Sequence, residues 1–67
     1  MTQAILRLPE VKARTGLSRS EIYRREALGE FPKRVRLGAR SVGWLASEID
    51  EFIVALVRAS RDRLVTN

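Results

Sequence analysis

Neither cysteine nor histidine occurs anywhere in this chain, and that double absence constrains the fold more than any other feature. No disulfide, thiolate-ligated metal or histidine ligand is available to staple a small domain. The chain must hold itself together by burying side chains, and its 67 residues suffice for one core only. A domain of this size takes only about 60% of its unfolded surface out of water. The same absence removes the commonest general base and the commonest thiol nucleophile. No catalytic constellation, cofactor site or metal site is expected, and an enzyme is not. The first eight residues lack a basic segment followed by an apolar run of signal-peptide length. No stretch approaches the roughly 20 apolar residues of a membrane span. The expectation is a cytoplasmic protein without membrane contact.

Hydrophobic patterning divides the chain into helix, turn, helix, hairpin and helix. Pro9 is preorganised for the first turn of a helix that turns Leu8 and Val11 inward and stops at Gly16. Ser18 and Glu21 have the spacing of a capping box, with Leu17 and Ile22 at the flanking staple positions. This second helix ends at Gly29, and Pro32 forbids its continuation. From residue 33 to 44 the period becomes two. Val35 and Leu37 alternate with Arg34 and Arg36, and Val42 and Trp44 with Ser41 and Gly43, around a tip at Gly38-Ala39-Arg40. The alternation predicts a two-stranded hairpin with one apolar face. A third helix is expected to be capped by Ser47, with Glu48, Asp50 and Glu51 in its first turn and Arg58, Arg61 and Arg63 near its end. Ile49, Phe52, Ile53, Leu56 and Val57 form its apolar stripe. The fold class is mainly α with a small β-hairpin, a winged helix-turn-helix. One domain is expected over 1–64, with a flexible tail at 65–67.

Charge gives the functional direction. Thirteen Lys and Arg stand against eight Asp and Glu. Between residues 12 and 44 nine basic residues (Lys12, Arg14, Arg19, Arg24, Arg25, Lys33, Arg34, Arg36 and Arg40) face three acidic ones, Glu21, Glu26 and Glu30, a local net charge of +6. Focused positive charge is the footprint of a nucleic-acid binder, or else a face kept basic for solubility. Arrangement decides between them. With Ile22 inward, an advance of about 100° per residue places Ser20, Tyr23, Arg24 and Ala27 on the opposite face of the second helix, with Arg19 on its flank. Arginine pairs with guanine, serine adapts to either partner, and alanine touches a thymine methyl. Ser18 opens the helix at an end suited to a phosphate. Glutamate or lysine would serve solubility equally well, and this face carries neither. Lys33, Arg34, Arg36 and Arg40 line the hairpin and its approach, as in a wing whose arginine enters a minor groove; an exposed β-turn is the bland alternative.

Other conspicuous residues are structural in this reading. Trp44 and Phe52 fall on inward periods and are core anchors. The acidic trio of the third helix answers the helix dipole, and Gly38 and Gly43 lack the spacing of a phosphate loop.

The run 5–52 resembles the AlpA-type prophage regulators, which group with phage excisionases and MerR-like winged-helix DNA-binding domains. Leu8-Pro9-Glu10-Val11, Thr15-Gly16-Leu17-Ser18-Arg19-Ser20, Ile22-Tyr23-Arg24, Phe31-Pro32-Lys33, Leu37-Gly38, Val42-Gly43-Trp44 and Ser47-Glu48-Ile49-Asp50 carry the resemblance. The Arg25-Glu26-Ala27 stretch departs from the pattern. The resemblance implies a nucleoid-associated protein of a mobile element that regulates transcription of an integrase or directs the integrase toward excision. It implies 18–25 as the recognition segment and 36–40 as the wing. Expected partners are duplex DNA, an integrase or recombinase, and further copies of the chain. With the stripe 49–57 used up in closing the core, head-to-tail contact on tandem sites is the expected self-association. The alternative function is an adaptor or inhibitor acting by protein contact with an integrase or response regulator. RNA binding fits less well, since only Tyr23 offers a stacking platform.

Overall fold

The computed structural model describes residues 4–65, with side chains through residue 63. In chain order the elements are β1 (Ile5–Leu6), α1 (Leu8–Thr15), α2 (Arg19–Ala27), β2 (Val35–Arg36), β3 (Val42–Leu45) and α3 (Ala46–Val65). Helix-turn-helix, hairpin and C-terminal helix are all present, so the fold is a winged helix-turn-helix. The sheet has three antiparallel strands rather than two, in the order β1-β3-β2. β1 was not foreseen, because two residues carry no period. The expected tail lies partly outside the described residues: α3 runs through Val65, and nothing beyond it is described.

Local chemistry sets the helix-turn-helix. Gly16 ends α1 at φ +73°, its N–H donating to the Lys12 carbonyl. The Thr15 hydroxyl donates to the Val11 carbonyl at 2.7 Å and accepts the Leu17 N–H at 3.2 Å, which fixes the exit of the turn. Both halves of the Ser18–Glu21 capping box are formed. Gly29 closes α2 at φ +75°. Its N–H donates to the Glu26 carbonyl and that of Glu30 to the Arg25 carbonyl, a Schellman ending.

α3 follows β3 without a loop. Ser47 is therefore inside the first turn and not the cap that the sequence suggested. The N–H of Ala46 donates instead to the Ala4 carbonyl at 2.8 Å, so the strand before α1 satisfies one of the donors that a helix start leaves open. Of the acidic trio only Glu48 stands in the first turn.

Leu6, Val11, Ile22, Phe31, Trp44 and Ile49 form the core, drawn from every element except the hairpin's first strand. Trp44 is its centre. The Phe31 ring meets it edge-on at 6.4 Å and the Tyr23 ring tilts against it at 6.3 Å. The indole N–H donates to the Pro32 carbonyl at 3.1 Å, so burial leaves no polar atom of the side chain unpaired. Phe52 is half-buried, its ring 4.7 Å from Phe31.

Two expectations about apolar faces are corrected. The hairpin alternates in the opposite phase: Val35 pairs with Gly43 and Arg36 with Val42. Directly paired residues share a face, so Arg36 lies on the Trp44 side, while Val35 and Leu37 lie on the outer side, 37% and 44% exposed. The stripe of α3 is also not used up. Ile49 is fully buried and Phe52, Ile53 and Leu56 are half-buried, but Val57 remains 39% exposed. The helix outruns the core it closes.

Gly43 accommodates the outer side of the sheet. A Cβ there would stand 2.5 Å from the Ile5 Cγ2, 3.0 Å from the Leu6 carbonyl oxygen and 3.3 Å from the Leu37 Cδ1. Ile5 can shift, but the β1 backbone is held by its pairing with β3. Gly43→Ala is expected to cost about 1–3 kcal/mol by overpacking, seen as a lower urea midpoint. An unchanged midpoint would mean that β1 is not tightly paired.

Candidate nucleic-acid interface

Ile22 anchors the inner side of α2, and the outer side follows from it. Ser20, Arg24 and Ala27 are exposed, with Arg19 beside them. Tyr23 does not belong to that outer set. One residue past Ile22 it stands about 100° round the helix, half-buried, with its ring against Trp44. The guanidiniums of Arg19 and Arg34 lie over the same ring, 5.6 and 5.1 Å from its centroid. Tyr23 thus joins core and surface, with two cations arranged on its face.

Ser18 is committed to the helix start. Its hydroxyl oxygen accepts the Glu21 N–H at 3.2 Å and lies 3.3 Å from both the Ser20 hydroxyl and the Glu21 carboxylate. The Glu21 carboxylate in turn accepts the Ser18 N–H. That backbone bond and the Ser18 hydroxyl, with lesser help from Arg25 and Arg24, lower the carboxyl's pKa from its ordinary 4.5 against the opposing effect of desolvation. A depressed native pKa stabilises the fold above the unfolded value and loses that contribution as pH falls through the native one. In acid the parent is therefore expected to lose stability more steeply than Glu21→Gln, which keeps a capping side chain but does not titrate. Parallel melting curves between pH 6 and about 3 would contradict the box's contribution.

One contact binds α2 to the hairpin. Glu26 accepts the Arg34 backbone N–H at 2.7 Å and its guanidinium at 2.8 Å. The Glu26 side chain is only 13% exposed and that of Arg34 45%, so the carboxylate is sheltered and the pair is stronger than an ordinary surface bridge. Arg34 is thereby a strut as well as a surface cation. Sequence reading missed this partnership, since eight residues of separation follow no helical or strand period.

Beside the strut a hollow of about 580 Å³ is lined by Tyr23, Glu26, Ala27, Lys33 and Arg34. A second, of about 380 Å³, is lined by Arg34, Arg36 and Val42. The reversed hairpin phase places Arg36 beside Val42 in the second hollow, on the side of the sheet that faces the core. Arg34 lines both hollows: Tyr23, Ala27 and Lys33 share the first with it and Arg36 the second, one on each side of the strut between α2 and the hairpin. Arg40 stands apart at the tip, where the Leu37 and Gly38 N–H groups both reach the Ser41 carbonyl. Arg24, Lys33, Arg36 and Arg40 are exposed, and their side chains form no hydrogen bond or ion pair among the described residues. No helix among those residues is long and apolar enough to cross a membrane.

Comparison with known proteins identifies the family. The family described as prophage CP4-57 regulatory protein (AlpA) matches residues 4–57, which takes in the helix-turn-helix, the hairpin and the first half of α3. An uncharacterized protein, ORF88, of Enterobacteria phage P4 is 44% identical over 61 residues, covering 91% of this chain and 68% of the relative. The DNA-binding transcriptional activator AlpA of Escherichia coli K12 is 46% identical over 57 residues, covering 73% of this chain and 79% of the relative. The chain belongs to the AlpA family of prophage regulatory proteins.

Proposed function

We propose that the chain binds double-stranded DNA as a transcriptional regulator of a prophage or related mobile element, with α2 in the major groove and the β2–β3 hairpin on the flanking minor groove. The observation that carries this reading is the pair of basic hollows that meet at Arg34 between α2 and the hairpin. The side chains of Lys33 and Arg36 there form no hydrogen bond or ion pair among the described residues, while the Glu26–Arg34 pair holds α2 and the approach to the hairpin in register. A short helix, a three-residue turn containing glycine and a second helix with a polar outer side is the geometry by which such helices enter a major groove. Kinship with a DNA-binding transcriptional activator supports the reading. The regulated gene, in this reading, is that of an integrase, or the bound protein assists the integrase in excision.

Selection of duplexes from the DNA flanking the chain's own gene, followed by titration across a salt series, tests the proposal. The expected result is a specific duplex whose affinity falls steeply with salt. Arg40→Ala should weaken binding to all sequences alike and flatten the slope of log K against log salt by about one. A protein that retains no duplex, and captures only another protein, would favour the adaptor reading instead.

A further inference from the structure

We propose that α3 pairs with α3 of a second copy, antiparallel and about a two-fold axis, through the surface that its own core leaves uncovered. Val54 is 51% exposed and Val57 39% exposed. With Asp50 and Arg61, both exposed, they recur at spacings of four, three and four residues, the spacing of a coiled-coil seam. The seam lies on the flank of α3, turned away from the side on which Ile49, Phe52 and Ile53 enter the core.

Charge selects the partner and its direction. An axis passing between residues 55 and 56 sets Val54 against Val57 of the other copy and Asp50 against its Arg61. The same register sets Glu51 beside Arg58. Each contact occurs twice, giving two valine layers closed at both ends by opposite charges, an isologous interface. Parallel pairing in register would oppose Asp50 to Asp50 and Arg61 to Arg61. Arg58, Arg61 and Glu51 form no ion pair among the described residues. Asp50 lies 3.7 Å from Arg14 but keeps 65% of its side chain exposed, which leaves it open to a second cation. Asp50, Glu51, Val54, Ala55 and Arg58 line a shallow hollow of about 330 Å³ on this flank, a seat for a side chain of the facing helix.

The seam is short beside the roughly 1,000 Å² of a specific interface, so the pairing is weak, dependent on concentration and weakened by salt. Its symmetry differs from end-to-end contact on tandem sites, and a two-fold pair would meet an inverted repeat. Sedimentation equilibrium of the full chain is expected to detect a monomer–dimer equilibrium that shifts toward monomer with salt. R58E/R61E should be monomeric at every concentration while keeping its helical circular dichroism, since neither residue touches the core. The direction is tested separately, because a chain without cysteine reports single introduced thiols cleanly. A mixture of Val54→Cys and Val57→Cys proteins should form a mixed disulfide dimer. Asp50→Cys alone should not, its two copies lying about 16 Å apart along the helices. A parent that is monomeric throughout, an R58E/R61E variant that associates like the parent, or ready self-linking of Asp50→Cys would each overturn the proposal. None of these measurements involves DNA, so their failure leaves the proposed function standing.

Discussion

Trp44→Ala is expected to leave the chain largely unfolded at room temperature. The indole is fully buried between Tyr23 and Phe31 and bonded to the Pro32 carbonyl. Truncation opens a cavity where three elements and the segment before the hairpin meet, at a cost of about 3–5 kcal/mol. It also strands a carbonyl that now has a partner. A two-state domain has about 0.05–0.15 kcal/mol of stability per residue, about 3–10 kcal/mol for this chain, so the loss takes a third or more of the total and all of it in a marginal domain, with no disulfide to limit it. Trp44→Phe separates the two contributions. It keeps most of the buried ring, loses the hydrogen bond and leaves the Pro32 carbonyl unpaired, and should remain folded with a loss of about 1–3 kcal/mol. Thermal melts followed by circular dichroism decide the matter. A Trp44→Ala protein that melts within a few degrees of the parent would mean that the core does not centre on this residue.

Arg24→Ala should leave the fold intact and remove discrimination between DNA sequences. Arg24 is exposed on the outer side of α2, away from Ile22, and among the described residues no hydrogen bond or ion pair occupies its guanidinium. A bidentate arginine–guanine pair contributes about 1–3 kcal/mol of discrimination, so affinity for the selected duplex should fall between about 5-fold and 150-fold. Affinity for a scrambled duplex should fall much less, through the loss of one positive charge. Equal losses on both duplexes would make Arg24 a backbone contact and move sequence reading to another residue.

The three helices were legible, and so were the ends of α1 and α2, because their signals are local; the start of α3 was not, since it follows β3 without a loop. Gly16, the Ser18–Glu21 pair and Gly29 each act within a few residues, and each is where the chain turns or starts. The hairpin was legible as an element but not in its phase. A three-residue tip at Gly38-Ala39-Arg40 pairs Leu37 with Ser41, which sets Arg36 and not Val35 beside Val42. Grouping the apolar residues of both strands on one side overlooked that arithmetic. β1, the Glu26–Arg34 strut and the exposed flank of α3 depend on what lies across the fold. No periodicity reports that two residues before α1 will edge a sheet, or that a long helix outlasts its core. On α2 the outer residues Ser20, Arg24 and Ala27 followed from its period, whereas Tyr23, one residue past Ile22, stands about 100° round the helix and lies against Trp44 rather than on the opposite face.

Placement of α2 in the major groove and of the hairpin tip in the minor groove is the central claim, and dimethyl sulfate protection on the selected duplex tests both together. The reagent methylates guanine N7, which lies in the major groove, and adenine N3, which lies in the minor groove. The parent is expected to protect guanines over one major-groove segment and adenines immediately to one side. Arg24→Ala should restore methylation of a guanine alone, and Arg40→Ala that of the adenines alone. A footprint without guanine protection, or one unchanged by both substitutions, would contradict the account.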